Sequence, residues 1–360
     1  MAKENVSKKQ LRVALIASEH TVREFSGFLE LLLVGLVDES IPTLLVYPPG
    51  YDSYSIFTGA AALIHQPALD LPFTEPLAAR LLAQQVARFE PTIIHCLCES
   101  KASLTRRMAH QLELPYVLMV SSMQSRRGQL SISSKRCRKI IVPGETIAAN
   151  LAKIHPGHAN RIERINIGTF VTEAVGCFSQ PNRIATVVAA HPPDKADDFE
   201  NLFGALRHLR VDGYEFMMVV AGDGRAERQI WKLLTALDLL HTVTMVSRLK
   251  PWRSVLAAGD IFIRPQPRFV FDTSVLEAMS VGTAVAGCSG GVDDLIIEDK
   301  TAALFKPDDE ISIMRTLQRL MDRREFARQI AQNARQHLAE NYSADDMISA
   351  TTGAYRDAQG

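Results

Sequence analysis

Short apolar segments alternate with helix-forming segments along almost the whole chain, and this alternation limits the fold more than any other feature. A strand, a helix and a second strand in succession build a parallel sheet that helices cover on both faces. The segments that we predict to be strands are 12–18, 42–48, 91–98, 115–122, 139–144 and 161–168, then 185–190, 216–222, 242–247, 260–265 and 283–287. The pattern therefore predicts an α/β protein with doubly wound parallel sheets.

The length and one break in the pattern indicate two domains. A chain of 360 residues is longer than one hydrophobic core usually organises. The segment CFSQPNR (177–183) is polar and contains Pro181, which is typical of a linker. We therefore predict one domain over 1–178 and a second over 179–342. The second domain ends in a helical region over 309–341, and a further helical pattern covers 343–356.

Composition argues against several classes of function. Lys and Arg number 40, as do Asp and Glu, so no net positive field favours binding to nucleic acid. The apolar stretch 28–37 is short and contains Glu30, so no transmembrane helix is predicted. The five cysteines have no zinc-ligand spacing, and the first ten residues do not resemble a signal peptide. We expect a cytoplasmic protein with no metal site.

The most informative run of residues is 272–294. Hydroxyl side chains open a predicted helix, Glu277 lies one turn inside it, and Gly282 ends it. A short apolar strand follows and leads to Gly290 and Gly291. Open parallel sheets bind ligands where strand and helix ends face one crevice, and helix N-termini favour phosphate. This run therefore indicates a phosphate-containing ligand.

Together with FMMVVAGDGRAERQI (216–230) and AALFKPDD (302–309), this run resembles the nucleotide-sugar half of family 4 glycosyltransferases of the GT-B type. The resemblance implies two Rossmann-like domains that face a cleft, with the helix in 343–360 returning to the N-terminal domain. It also implies a retaining transfer of a hexose from a UDP- or GDP-sugar to a hydroxyl group of a sugar or lipid-linked acceptor. No cofactor is required in such enzymes, which serve glycan, polysaccharide or glycolipid synthesis.

The same resemblance assigns roles to individual side chains. Glu277 corresponds to the family's ribose-binding glutamate, although an ordinary surface glutamate would also suit a helix. Thr273 and Ser274 could meet a diphosphate or only cap their helix. Lys195 corresponds to a lysine that neutralises the diphosphate during catalysis, or it is a solvated loop lysine.

Backbone positions complete the implied site. Gly222 and Gly224 flank a strand-to-helix turn where a ligand can approach the backbone, although a plain turn explains them too. Arg248 and Leu249 correspond to backbone contacts with the nucleotide base. Gly290, Gly291 and Gly27 correspond to glycines beside the donor.

Three departures from the family pattern favour a second hypothesis. Phe269 replaces an acidic residue of the Glu-x(7)-Glu motif, His191 or Pro192 stands where the family has an arginine, and Ser121 to Met123 replace a histidine. Losing several charge-stabilising groups would lower the rate by orders of magnitude. The alternative is a catalytically impaired GT-B-fold protein with a binding or scaffolding role.

The region 101–139 is strongly basic. It contains nine lysines and arginines but only Glu113 as an acidic residue. Such a run is usually a solvated face, but it could also draw the first domain to anionic headgroups. A peripheral contact with the inner face of the membrane is therefore the second interpretation of this region.

Overall fold

A computed structural model describes most of the chain as two compact units. The described residues are 10–49, 57–66, 75–125, 130–172, 176–180, 183–191, 193–222, 224–246 and 252–359. Unit 1 comprises the residues up to Gly168 and those from Ser343 onward, and unit 2 comprises Thr169–Tyr342. The division falls before the segment 177–183, and Cys177 and Phe178 lie buried in the core of unit 2.

Unit 1 is a seven-stranded parallel sheet with the strand order β3-β2-β1-β4-β5-β6-β7. Its strands are β1 Val13–Ile16, β2 Thr43–Tyr47, β3 Ala62–His65, β4 Ile93–Cys96, β5 Tyr116–Met119, β6 Cys137–Val142 and β7 Ile162–Arg164. Its helices are α1 Glu19–Glu24, α2 Ser26–Asp38, α3 Phe57–Ala60, α4 Glu75–Ala87, α5 Ala102–Gln111, α6 Glu145–Ile154 and α13 Ala344–Gln359, with 3-10 turns at Glu99–Lys101 and Pro156–Arg161.

The central strands of unit 1 are apolar because helices cover both faces of the sheet. Every residue of β1, β4 and β5 is buried, as expected for a parallel sheet of this kind. The helix α13 packs on β4, β5 and α2. There the hydroxyl of Tyr355 lies 2.6 Å from Nδ1 of His95 on β4.

Unit 2 is a six-stranded parallel sheet with the order β10-β9-β8-β11-β12-β13. Its strands are β8 Ala185–Ala190, β9 Phe216–Ala221, β10 Val243–Val246, β11 Ile261–Ile263, β12 Ala284–Gly287 and β13 Ala303–Leu304. Its helices are α7 Asp197–Val211, α8 Glu227–Ala236, α9 Trp252–Ala257, α10 Thr273–Ser280, α11 Glu310–Asp322 and α12 Arg324–Asn341.

The α/β class and each of the eleven predicted strands are confirmed, with ends that differ by a few residues. Two strands, β3 and β13, were not predicted. The region predicted to be helical over 309–341 contains two helices, α11 and α12, which are separated at Arg323, whose ψ of 65° is not helical. No proline or glycine marks this break in the sequence.

Candidate functional site

The strand order of unit 2 reverses between β8 and β11, which places a crevice at the carboxyl ends of these two strands. Val187 on β8 pairs with Ile261 on β11, so the loops that follow them start side by side. Ligands of open α/β sheets bind at such a reversal. The loop after β8 carries His191 and Lys195, and the loop after β11 carries Arg264 and Arg268.

The helix α10 follows the β11 loop and carries Glu277. All residues of α10 except Glu277 are buried, and Glu277 is half-buried. Gly282 has a φ of 79°, and the helix ends before it, which confirms the predicted stop. The buried faces of α10 therefore fix the position of the one carboxylate that it presents.

The N-terminus of α10 is capped by a carboxylate of the chain itself. Oδ1 of Asp272 accepts hydrogen bonds from the amides of Ser274 and Val275, at 3.1 and 3.3 Å. We expected the amides of Thr273 and Ser274 to be candidates for a diphosphate, but the Ser274 amide donates to Asp272. Thr273 and Ser274 are themselves buried. A negative charge therefore already occupies this helix N-terminus.

A buried ion pair organises the loop after β12. Arg264 is 2% exposed, and its Nη2 lies 2.7 Å from Oδ1 of Asp293. Oδ2 of Asp293 accepts the amides of Gly290 and Gly291, at 2.8 and 3.2 Å. The carbonyls of Cys288 and Val292 accept further bonds from Arg264. Asp293 is thus a structural anion, and the guanidinium of Arg264 is held by this carboxylate and by two backbone carbonyls.

Two glycines at the site are required by close packing of backbone. A Cβ on Gly291 would lie 2.1 Å from the carbonyl oxygen of Arg268, and one on Gly224 would lie 2.3 Å from the carbonyl carbon of Pro193. Gly222 and Gly290 have φ values of 148° and 110°, which favour glycine. These glycines let the loops after β8, β9, β11 and β12 approach one another.

His191 is the centre of a charged cluster at the reversal of strand order. Its Nε2 lies 3.3 Å from Oδ2 of Asp198 in the first turn of α7. Burial lowers the pKa of His191, while its hydrogen bond to the Asp198 carboxylate acts in the opposite direction. Nη1 of Arg268 lies 3.9 Å from Oδ1 of Asp272, and both of these charges also influence His191. In the sequence, His191 stands out only as a departure from the family pattern, because its partners lie elsewhere in the chain.

The remaining predicted residues of unit 2 are placed as follows. Lys195 is exposed in the loop after β8, and within the described part of the chain no ion pair is recorded for it. Phe269, in the place of the family's acid, is 58% exposed. Arg248 and Leu249 lie outside the described residues.

Unit 1 has its own reversal of strand order, between β1 and β4, and the groups there are mostly hydroxyls and thiols. Gly27 lies in the first turn of α2, which begins at Ser26. The carboxylate of Glu99, after β4, accepts from the hydroxyls of Ser121 and Ser122.

His95 and Cys98 lie on and just after β4. His95 is buried, with a pKa lowered to about 3 by that burial, which agrees with a structural histidine. Cys98 follows the strand, and hydrogen bonding from Cys96 lowers the pKa of its thiol to about 6.

The basic region 101–139 does not form one continuous patch among the described residues. Lys101 is buried, Arg107 pairs with Glu75 at 3.1 Å, and Lys139 pairs with Glu163 at 2.8 Å. Arg136 donates to the carbonyl of Glu113. Arg126 and Arg127 lie outside the described residues.

The described residues contain neither a membrane-spanning helix nor a cluster of metal-binding side chains. None of the helices found there is both long and apolar enough to cross a bilayer. Likewise, no group of three or more histidine, cysteine, aspartate or glutamate side chains in this part of the chain could hold a metal ion.

Two doubly wound parallel sheets, each with one reversal of strand order, define an α/β protein made of two Rossmann-like units. Residues 181–337, most of unit 2, match the family model described as "Glycosyl transferases group 1". The sulfoquinovosyl transferase SQD2 of Arabidopsis thaliana is 34% identical over 142 residues, which are 38% of this chain and 27% of the plant protein. The chain thus spans about a quarter of the length of that relative.

Solved structures resemble nearly the whole chain. Sucrose-phosphate synthase from Thermosynechococcus elongatus superposes with a TM-score of 0.80 at 16% identity, covering 96% of this chain and 98% of that one. HepE of Anabaena, solved in complex with UDP and glucose, superposes with a TM-score of 0.78 at 12% identity, covering 95% and 98%. The fold is therefore that of the GT-B glycosyltransferases, and the predicted fold class is confirmed.

Proposed function

We propose that the chain is a family 4 glycosyltransferase that moves a hexose, with retention of configuration, from a UDP- or GDP-sugar to a hydroxyl group of a sugar or lipid-linked acceptor. The observation that carries the proposal is Glu277. It is the half-buried carboxylate on an otherwise buried helix beside the strand-order reversal, within the region that matches the glycosyl transferases group 1 model. Sugar transfer in glycan, polysaccharide or glycolipid synthesis is the process that such a site would serve.

Glu277 would hold the nucleotide by its ribose. An ionised carboxylate has two acceptor oxygens, which suits the two neighbouring ribose hydroxyls, and such charge-assisted bonds are strong. Because α10 is anchored by its buried residues and by the Asp272 cap, the carboxylate would need little reorganisation to bind. HepE of Anabaena, which has the same fold, was solved both with UDP and glucose and with UDP-glucose, which supports a uridine nucleotide as the first candidate donor.

Charge stabilisation would come from cations at the ends of β8 and β11. The leaving diphosphate gains negative charge as the glycosidic bond breaks, and fixed positive groups lower that barrier. Lys195 is exposed at the end of β8 and can turn toward a bound diphosphate. Arg268 lies in the neighbouring loop, partly offset by Asp272. The proposal therefore assigns this work to side chains and requires no cofactor.

Specific observations favour the alternative, a catalytically impaired protein with a binding or scaffolding role. Asp272 occupies amides at the N-terminus of α10, Asp293 occupies the amides of Gly290 and Gly291, and Phe269 has no charge to offer. Each removes a group that could otherwise bind an anion or a sugar hydroxyl. This alternative predicts nucleotide binding without transfer.

Thermal unfolding with UDP, GDP, ADP and their sugars would test the donor site. A ligand that binds only the folded state at a hundredfold excess over its Kd stabilises by about 2.7 kcal/mol. We expect stabilisation by one nucleotide, lost in Glu277→Gln and kept in Glu340→Gln, an exposed glutamate on α12. The absence of any shift in the folded wild-type protein would contradict the proposed donor site.

Transfer assays with the nucleotide that binds separate the two candidates. Formation of a glycoside whose anomeric configuration matches that of the donor, read by NMR, would support the retaining enzyme. Binding without turnover, across sugar and lipid-linked acceptors, would support the impaired protein.

A further inference from the structure

We propose that His191 takes up a proton when the diphosphate of a nucleotide sugar enters the crevice between β8 and β11, so that donor binding tightens as the pH falls. The inference rests on the proposed function, because it takes the ligand to be a nucleotide sugar. It adds a proton-linked anion-binding group that neither the sequence pattern nor the relatives assign.

The location of His191 is the first argument. It directly follows β8, beside the start of the β11 loop, at the point where α/β sheets bind ligands. The ring is held in place on two sides. Asp198 lies 3.3 Å from Nε2, and the ring of Phe199 meets the imidazole edge-on with centroids 5.4 Å apart.

The charges around His191 are the second argument. Asp198 reaches it from α7, and Arg268 and Asp272 act on it from the β11–α10 loop. Lys195 lies in the same loop as His191 but is exposed to solvent. With a neutral imidazole, the two carboxylates outnumber the one guanidinium. A diphosphate placed here would therefore meet net negative charge, and one added proton would cancel it.

The hydrogen bonding of the ring is the third argument. The contact with Asp198 places the proton of the neutral ring on Nε2, so Nδ1 carries the lone pair. Nδ1 is shielded from solvent and has no partner among the described residues. A proton on Nδ1 would thus be a buried donor without an acceptor, which is costly. A diphosphate in the crevice would offset this cost by its opposite charge.

These arguments fix the sign of the pH dependence. Burial lowers the pKa of His191 from its usual value of 6.5, so the free protein carries a neutral ring at pH 7. A bound diphosphate raises that pKa, because a nearby negative charge favours imidazolium. Binding then takes up a proton, and by linkage the affinity falls by up to about tenfold per pH unit above the pKa of the free protein.

Isothermal titration with UDP-glucose and GDP-mannose between pH 6 and 8.5 tests the inference. These diphosphate diesters avoid the terminal phosphate of UDP, which itself titrates at a pKa of about 6. Repeating each titration in two buffers of different ionisation enthalpy gives the number of protons taken up. We expect about one proton per donor bound near pH 7.

Two substitutions at His191 and one control complete the test. His191→Asn should bind the nucleotide sugar weakly, with an affinity that does not vary with pH. The affinity of His191→Lys should also not vary with pH, but at pH 8 it should be higher than that of His191→Asn. The control is His208→Asn, because His208 on the same helix as Asp198 also lies 3.3 Å from a carboxylate, that of Glu310. About 15 Å of helix separates it from the crevice, so it should keep the wild-type profile.

The outcomes distinguish this inference from the proposed function. If the wild type binds a nucleotide sugar with no pH dependence, or if His191→Asn keeps the wild-type slope, the inference is wrong and the donor site stands. If no nucleotide sugar binds at any pH, both are wrong. If His191→Asn fails to fold, Asp198→Asn replaces it. Because Asp198 raises the pKa of His191, the pH range over which the affinity changes must then move to lower pH.

Discussion

Unit 1 and unit 2 share one strand order around the reversal, β3-β2-β1-β4-β5 and β10-β9-β8-β11-β12, but the groups at their carboxyl ends differ. In unit 2 that edge carries ions in pairs, Arg264 with Asp293 and Arg268 with Asp272. In unit 1 the described residues at that edge include the carboxylate of Glu99, held by serine hydroxyls, beside the Cys98 thiol. The strand order of the sheet therefore determines where a site lies, while the side chains of the loops determine its chemistry.

The largest expected effect is on the ion pair that distinguishes unit 2. Arg264→Leu would leave Asp293 without its cation and the carbonyl oxygens of Val292 and Cys288 without their donor. Removing one partner of a buried pair costs about 3–5 kcal/mol. Urea unfolding of unit 2 measures this free energy. Arg319→Leu, which breaks an exposed pair with Asp299, should cost at most about 1 kcal/mol, and an equal loss in both variants would contradict the assignment.

A second test probes the close packing of the unit 2 loops. Gly291→Ala places a Cβ 2.1 Å from the Arg268 carbonyl oxygen, so the β11 and β12 loops must separate, at about 1–3 kcal/mol. Gly157→Ala in unit 1 meets nothing within 4 Å and should change stability by less than about 0.5 kcal/mol. Thermal unfolding compares the two variants, and a neutral Gly291→Ala would show that the loops are not tightly packed.

A third test compares how the stability of the two units depends on pH. The folded-state pKa of His95, about 3, lies below its usual value of 6.5. The stability that the neutral ring provides is therefore complete above pH 6.5 and is lost as the pH falls toward 3. Between pH 6.5 and 5 we expect unit 1 to lose about 2 kcal/mol. His95→Gln should remove this loss, whereas His110→Gln, at an exposed position, should keep it.

The smallest expected effect concerns the cap of α10. Asp272→Ala should destabilise unit 2 by about 1 kcal/mol yet increase its affinity for diphosphates, because a negative charge leaves the helix N-terminus. Asp272→Asn keeps the cap and removes the charge. Asp309→Ala removes the equivalent cap of α11 and should leave nucleotide affinity unchanged. Lower affinity in both Asp272 variants would mean that this carboxylate helps to bind the ligand.

The sequence predicted the sheets well because buried parallel strands read as apolar runs between turn residues. The two missed strands are the short β13 and the half-exposed β3, neither of which is a strong apolar run. The break at Arg323 was missed because nothing local marks it. Local patterns cannot show what a distant part of the chain imposes.

The same limit applies to the candidate site. Glu277, Gly290 and Gly291 were predicted from one continuous motif. The pairing of Arg264 with Asp293 joins residues 29 positions apart, and the hydrogen bond between His95 and Tyr355 joins residues 260 apart. In the sequence, His191 only stands at or beside the position where the family has an arginine. The structure places the charges of Asp198, Arg268 and Asp272 around it. The roles of all these residues at a ligand remain predictions.

The return of α13 to unit 1 has a consequence for how the protein is made. The ribosome must complete all of unit 2 before it makes the helix that contacts β4, β5 and α2. Unit 2 is continuous, so it can fold as soon as it emerges, whereas β4 and β5 of unit 1 must wait for the helix that packs on them. Unit 2, although it is made later than most of unit 1, is thus free to finish folding first.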